Sequence, residues 1–222
     1  PYNNTNTLYN TLNQQFTGAR DISTVNQALG GTFVNGTEYE EVESARLLDA
    51  SEYTVNTKLG YISLKTQLQA DEVLAVAYNY TYSDGKTYQV GEFSTDNPSS
   101  AASCLYVKLL KGITMSPDMP FWDLMMKNIY SLGAYSVQKE KFNIMYQSDT
   151  TGTYVNYLPE GAIANQILLR VLNLDSYDSN NQPHPDGIYD FIEGVTVLAD
   201  NGKIIFPSVE PFGSYLRKKI NN

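Results

Sequence analysis

The sequence predicts an α+β, mainly β fold: antiparallel β-sandwich-like units with a few short helices. Three observations predict it. Residues 38–93 are rich in Tyr, Val, Thr and Leu, in short runs separated by turn residues. Aromatics make up 12% of the chain, with 18 Tyr against 8 Phe and one Trp, and Tyr suits strands. Helical periodicity occurs only in brief stretches near 5–16, 21–29 and 120–132.

The elements follow in order. Leu8, Leu12 and Phe16 recur at helical spacing and predict a helix over 5–16. Asp21 is placed to cap a second helix. Ile22, Val25 and Leu29 form its stripe, and Gly30-Gly31 ends it. The clearest hairpin spans 73–93. Leu74, Val76, Tyr78, Tyr80 and Tyr82 share one face, Asp84-Gly85 supplies a two-residue turn, and Tyr88, Val90 and Phe93 lie on the return strand. Residues 94–103 read as a polar loop or linker, and Leu105–Leu110 as a short strand. Pro120 then opens a helix over 120–132 that Gly133 ends. Phe121, Met125, Ile129 and Leu132 lie on one side of it and Trp122, Met126 and Tyr130 on a neighbouring side. An apolar arc that wide predicts burial between layers or docking on a neighbour. Residues 141–157 read as another hairpin, with Phe142, Ile144 and Tyr146 alternating along the first strand. The run 167–174 is too short and uniform to assign from periodicity. The chain is expected either to form one domain or to divide into a first β-rich unit with the N-terminal helices, 1–100, and a second, 101–222, carrying helix 120–132.

One segment repeats. Residues 54–64, TVNTKLGYISL, and 196–206, TVLADNGKIIF, share Thr-Val, four residues, Gly, then Ile and a final Leu or Phe at equal gaps. Each copy predicts a strand, a turn closed by Gly, and a second strand.

Composition restricts function. Lys plus Arg is 15 and Asp plus Glu is 24, a net charge of −9, which argues against nucleic acid as a partner because phosphate contacts need a basic face. No apolar run reaches the roughly 20 residues of a membrane helix. The single cysteine, Cys104, has no partner for an internal disulfide and reads as a buried inert thiol. The only histidine, His184, sits between Pro183 and Pro185 and reads as a solvated turn residue. No nucleophile elbow, phosphate-cradling loop or Cys/His metal cluster is present, so no catalytic residues are assigned and no enzyme is expected. The acidic run Glu38, Glu40, Glu41 and Glu43 reads as a solvated strand edge. Residues 175–190, DSYDSNNQPHPDGIYD, carry two readings. Asp175, Asp178, Asp186 and Asp190, with Asn180, offer hard oxygens to a structural calcium, or the same side chains make turns within a Pro/Gly loop. No other cofactor is expected. The chain starts at Pro1 and is expected to be a piece of a longer protein.

Four segments, KLGYISLKTQLQADEVLAVAYNYTY, TYQVGEF, FWDLMMKNIYSLGAY and PDGIYDFIEGVTVLADNGKIIFPSVEPFG, resemble the SprA/Sov family, over a span from Leu8 to Leu216. These are very large cell-surface or outer-membrane proteins of the Bacteroidetes, needed for gliding motility and type IX secretion. The resemblance implies a soluble, non-enzymatic fragment of a protein-secretion translocon, with a structural, cap or interaction role outside the barrel wall. It implies an outer-membrane or cell-surface location. It also implies as partners the rest of the same large chain, a smaller outer-membrane barrel protein, a plug protein and secreted cargo. The family offers no catalytic residues to carry over. Two rivals are carried beside it. A surface adhesin or glycan-binding module needs an exposed row of aromatics such as Tyr78, Tyr80 and Tyr82. A hydrolase needs two carboxylates facing each other about 5 to 10 Å apart.

Overall fold

A computed structural model describes residues 7–96, 103–139 and 142–221. Short antiparallel strands in small sheets, with a few short helices, make the fold α+β and mainly β. The chain packs as two units, one ending at Met125 and the other beginning at Met126.

The first unit opens with α1, Leu8–Gln15, a 3-10 turn over Thr17–Arg20, and α2, Val25–Leu29. Ala19, Val25 and Leu29 are buried together, with Leu12, Phe16, Phe33, Tyr39 and Tyr106 packed against them. Asp21 does not cap α2 with its side chain. Its carboxylate accepts from the Ser23 amide and hydroxyl, and its carbonyl accepts from the Val25 amide. The aspartate therefore shapes the turn before the helix.

The strands of this unit are β1, Tyr53–Asn56; β2, Tyr61–Leu64; β3, Leu74–Val76; β4, Tyr78–Thr81; β5, Thr87–Val90; and β6, Lys108–Lys111. They pair antiparallel as β1–β2, β3–β6 and β4–β5. The long first strand expected over 74–82 is thus two strands serving different partners. Chain continuity hides this in the sequence, because the alternation runs unbroken through Ala77 while the hydrogen bonding changes hands. The return strand stops at Val90, short of Phe93, because Glu92 leaves the ladder: its amide donates to the Tyr106 carbonyl at 2.8 Å and its carboxylate turns to Arg20.

The expected helix over 120–132 is a correction. Only Trp122–Leu124 is helical, as a 3-10 turn, and Ile129–Ser131 form β7 of the second unit. The apolar arc was too wide for one helical face, and the backbone finds better partners in sheet pairing. β7 is antiparallel to β11, and the Leu132 amide donates to the Gly202 carbonyl at 2.7 Å. Phe121 is buried, Trp122 is half-buried, and Leu124 and Met125 are exposed. Phe121→Ala is therefore expected to cost about 3–5 kcal/mol and Trp122→Ala clearly less, read from urea unfolding.

The second unit contains β7, then β8, Tyr146–Gln147; β9, Tyr154–Val155; α3, Leu168–Val171; β10, Val197–Leu198; β11, Lys203–Ile205; a π-turn, Pro211–Tyr215; and α4, Leu216–Asn221. The ambiguous run at 167–174 is helical at its centre. It supplies Leu168, Leu169, Leu172 and Leu174 to a core shared with Tyr189, Ile204 and Phe206. Phe142 and Ile144 pack on this core but precede the strand β8, so the hairpin near 141–157 is shorter than its alternation suggests. Lys141 lies outside the described residues, as does most of the 94–103 loop.

The repeat folds twice into the same hairpin. In β1–β2, Val55 faces Ile62 and Asn56 faces Tyr61. In β10–β11, Val197 faces Ile204 and Leu198 faces Lys203, the equivalent register. Their surroundings differ. Val197 is 0% exposed in the second core, whereas Val55 is 53% exposed.

Candidate functional site

Four tyrosines gather on one face of the β4–β5 hairpin. The antiparallel register sets Tyr80 opposite Tyr88 and Tyr78 opposite Val90, so period-two alternation puts the large rings on the same side. Tyr80 and Tyr88 stack at 5.4 Å with planes 17° apart. Tyr82 meets both edge-on, at 5.5 Å from each, and Tyr78 lies 6.0 Å from Tyr80. Each such pair contributes about 0.5–1.5 kcal/mol beyond area burial, so the rings hold one another in place. On the other face the Thr81 and Thr87 hydroxyls bond across the strands at 3.0 Å, and Gln89 is buried with its amide nitrogen donating to the Gly91 carbonyl at 2.9 Å.

The turn has three residues rather than the expected two. Tyr82 donates to the Lys86 carbonyl at 3.0 Å, and Gly85 donates to the Tyr82 carbonyl at 2.9 Å, leaving Ser83-Asp84-Gly85 as the loop. The Asp84 carboxylate accepts from the Lys86 amide at 3.0 Å and fixes it.

Tyr78 is 43% and Tyr82 58% exposed, while Tyr80 and Tyr88 are half-buried between them. Burial, and then the neighbouring phenols, push the Tyr80 hydroxyl above its ordinary value. The face offers ring edges and hydroxyls in fixed positions. That is contact area with hydrogen-bonding tips.

The acidic loop resolves into turns. The buried Asp175 carboxylate accepts from the Asp186 amide at 2.9 Å and the Gly187 amide at 3.2 Å, and faces Arg170 at 3.3 Å. Asp190 accepts from the Ser176 amide at 2.6 Å and from the Tyr177 amide. Asp178 accepts from the Asn180 and Gln182 amides, which hold its carboxyl below the usual range, and Asp186 accepts from the Ile188 amide. Each of the four carboxylates named for calcium is committed to backbone N–H groups of its own neighbourhood. Among the described residues, no group of three or more His, Cys, Asp or Glu is placed to hold a metal. The turn-forming reading is therefore the one the geometry realises, and a calcium site built from Asp175, Asp178, Asp186 and Asp190 is not assembled. Calcium or chelator is expected to leave the melting temperature unchanged. A rise with calcium that chelator reverses would show that the loop rearranges around the ion.

Other flagged residues fall elsewhere. His184 is exposed in the loop, its amide bonded to the Gln182 carbonyl. Cys104 is half-buried and donates its amide to the Arg20 carbonyl; burial pushes its thiol up from its ordinary value. In the acidic run, Glu38 accepts from the Val34 amide, Glu40 from the Ile113 amide and Glu41 from the Asn26 side chain. These glutamates tie loops together rather than edging a strand.

One assembly was not foreseen. Arg20 makes a two-pronged ion pair with the buried Glu92, both bonds at 2.7 Å, and its guanidinium lies 3.8 Å over the Tyr106 ring. Asn13, the Tyr9 hydroxyl and the Tyr106 amide complete it. No short-range spacing could reveal partners more than seventy residues apart. The network joins the helical segment to the strand region and serves structure. No helix is long and apolar enough to cross a membrane among the described residues.

No protein-family model matches the chain, and no curated protein matches it.

Proposed function

We propose that this chain is a non-enzymatic domain of an outer-membrane protein-secretion translocon of the type IX kind, with a structural or contact-making role in secretion and gliding motility. The family is suggested by the four long segments that resemble the SprA/Sov proteins. The contact-making role rests on one observation, the tyrosine face of β4–β5. Four rings locked against one another present rigid area with polar tips and lose little freedom on binding, which favours recognition. Its partners are then the rest of the same large chain, the neighbouring barrel and plug proteins, or passing cargo, at the outer membrane or cell surface.

The exposure of Tyr78 and Tyr82 also favours a second reading, an adhesin or glycan-binding module. Sugar rings dock on flat, open aromatic faces. Here Tyr80 and Tyr88 cover each other's faces, which ranks the glycan reading behind the protein-contact one.

The test is to place Tyr78→Ser and Tyr82→Ser in the full-length parent protein and follow export of a cargo bearing the C-terminal secretion signal. Export is expected to fall while the parent's abundance stays constant. Unchanged export and gliding would overturn the proposal, and loss of binding on a glycan array with export intact would establish the second reading.

A further inference from the structure

We propose that residues 209–221 form a docking site for an anionic phospholipid surface. The site is separate from the tyrosine face and does not depend on the reading given to it. Arg217, Lys218 and Lys219 are consecutive and exposed on α4, in a chain whose net charge is −9. Arg217 and Lys218 have no ion-pair or hydrogen-bond partner among the described residues. Among the described residues, Lys219 has the face of Tyr215, 5.6 Å away, as its partner. The nearest acid in sequence, Glu210, is already engaged by Lys127 at 3.1 Å and by the Ser214 hydroxyl at 2.8 Å. The positive patch is therefore not neutralised from within the described unit.

Apolar groups accompany these cations. A groove runs beside α4, lined by Phe212, Leu216 and Ile220, with Arg217 and Asn221 at its polar side. Phe212 is 51% exposed although its ring meets Phe206 at 5.0 Å, and Val209 beside it is exposed too. On the helical wheel, Leu216 and Ile220 form one half-buried ridge, with Ile220 set against Gly161 and with Arg217 and Lys219 on the two flanks. Cations near exposed apolar side chains, here Phe212 and Val209, are the arrangement of interfacial segments: apolar side chains enter the acyl boundary and long basic side chains reach the phosphates. An acidic protein segment would answer the charges but leave Phe212 and Val209 in water, so charge and apolarity together favour lipid.

Six helical residues alone are too few to be stable in water. Here the segment is fixed in advance. The Tyr215 hydroxyl donates to the Val171 carbonyl at 3.1 Å and accepts from the Asn173 side chain at 2.7 Å. Overall negative charge does not prevent docking, because fields are screened within about 10 Å at moderate salt and the local patch dominates at contact.

The test is flotation of the whole 222-residue chain with phosphatidylcholine vesicles, with and without about one-third phosphatidylglycerol, at low and high salt. Flotation is expected with the anionic vesicles only and is expected to weaken with salt. The triple variant Arg217→Ala, Lys218→Ala, Lys219→Ala should lose partitioning on the order of a hundredfold, from about one kcal/mol per basic residue. Phe212→Ser should weaken binding while leaving its salt dependence in place, with circular dichroism confirming that both variants fold. No flotation with anionic vesicles, or equal flotation of the triple variant, would overturn the proposal. So would capture by polyglutamate in place of vesicles, which would assign the cations to an acidic protein.

Discussion

Gly202→Ala will cost the second unit on the order of 4 kcal/mol or more, while Gly60→Ala, at the matching position of the repeat, will cost only about 1–2 kcal/mol. Both glycines close equivalent hairpins with positive φ, +56° and +70°, so both substitutions carry the left-handed penalty. The difference lies in what surrounds them. A Cβ on Gly60 would meet nothing within 4 Å, whereas one on Gly202 would collide with the Ala134 carbonyl oxygen. That carbonyl cannot step aside cheaply. Leu132 donates to Gly202, Ser136 to Asp200 and Val137 to Ala199, so residues 131–137 are laced along the turn. Relief would break that lacing and lift β7 from β11. Urea unfolding of the two variants, compared with the parent chain, measures the contrast. Equal costs would mean that the close approach at Gly202 is absent in solution.

Arg20→Ala is expected to cost about 3–5 kcal/mol, because it leaves the Glu92 carboxylate buried without its counter-ion. Replacing both partners with apolar residues, Arg20→Met with Glu92→Leu, should cost much less than the single change, since no orphaned charge remains. The pH dependence has a definite sign. Burial by itself would raise the Glu92 carboxyl, but bonds from Arg20, the Tyr9 hydroxyl and the Tyr106 amide outweigh it and hold the group below its ordinary range. The folded state therefore binds this proton less readily than the unfolded state does. The stabilisation is complete above the ordinary glutamate value of about 4.3 and is lost as pH falls through the lower folded value. Arg20→Ala should flatten the acid limb of the stability profile in that window. An acid limb identical to that of the parent chain would show that the pair contributes nothing to acid stability.

Local patterns were legible in the sequence, and long-range pairings were not. Alternation from Tyr78 to Tyr82 located the face that the rings occupy, and the repeat located two hairpins of equal register. Both depend on neighbours within a dozen residues. The segment 120–132 misled because Phe121, Met125 and Ile129 satisfy helical spacing, while the backbone of Ile129–Ser131 pairs with a strand more than seventy residues later. No property of the segment alone marks that partner. The Arg20–Glu92 pair was hidden for the same reason. The acidic loop was half legible: its Asp and Asn residues announced polar turns or metal equally. Only coordinates show Asp175, Asp178, Asp186 and Asp190 each turned to a backbone amide. In the tyrosine site, Tyr88 was readable as a strand residue, but its stacking on Tyr80 needed the register.

The central claim, that this is a contact-making domain whose working surface is the tyrosine face, is tested most directly by site-specific photo-crosslinking. A photoreactive phenylalanine analogue is placed at Tyr82 of the full-length parent in living cells, with a control at exposed Lys58 on the β1–β2 turn. Ultraviolet capture from position 82 of a discrete protein species, or of a distant segment of the same chain, with no such product from position 58, is the result the account predicts. Equal, diffuse labelling from both positions would contradict it.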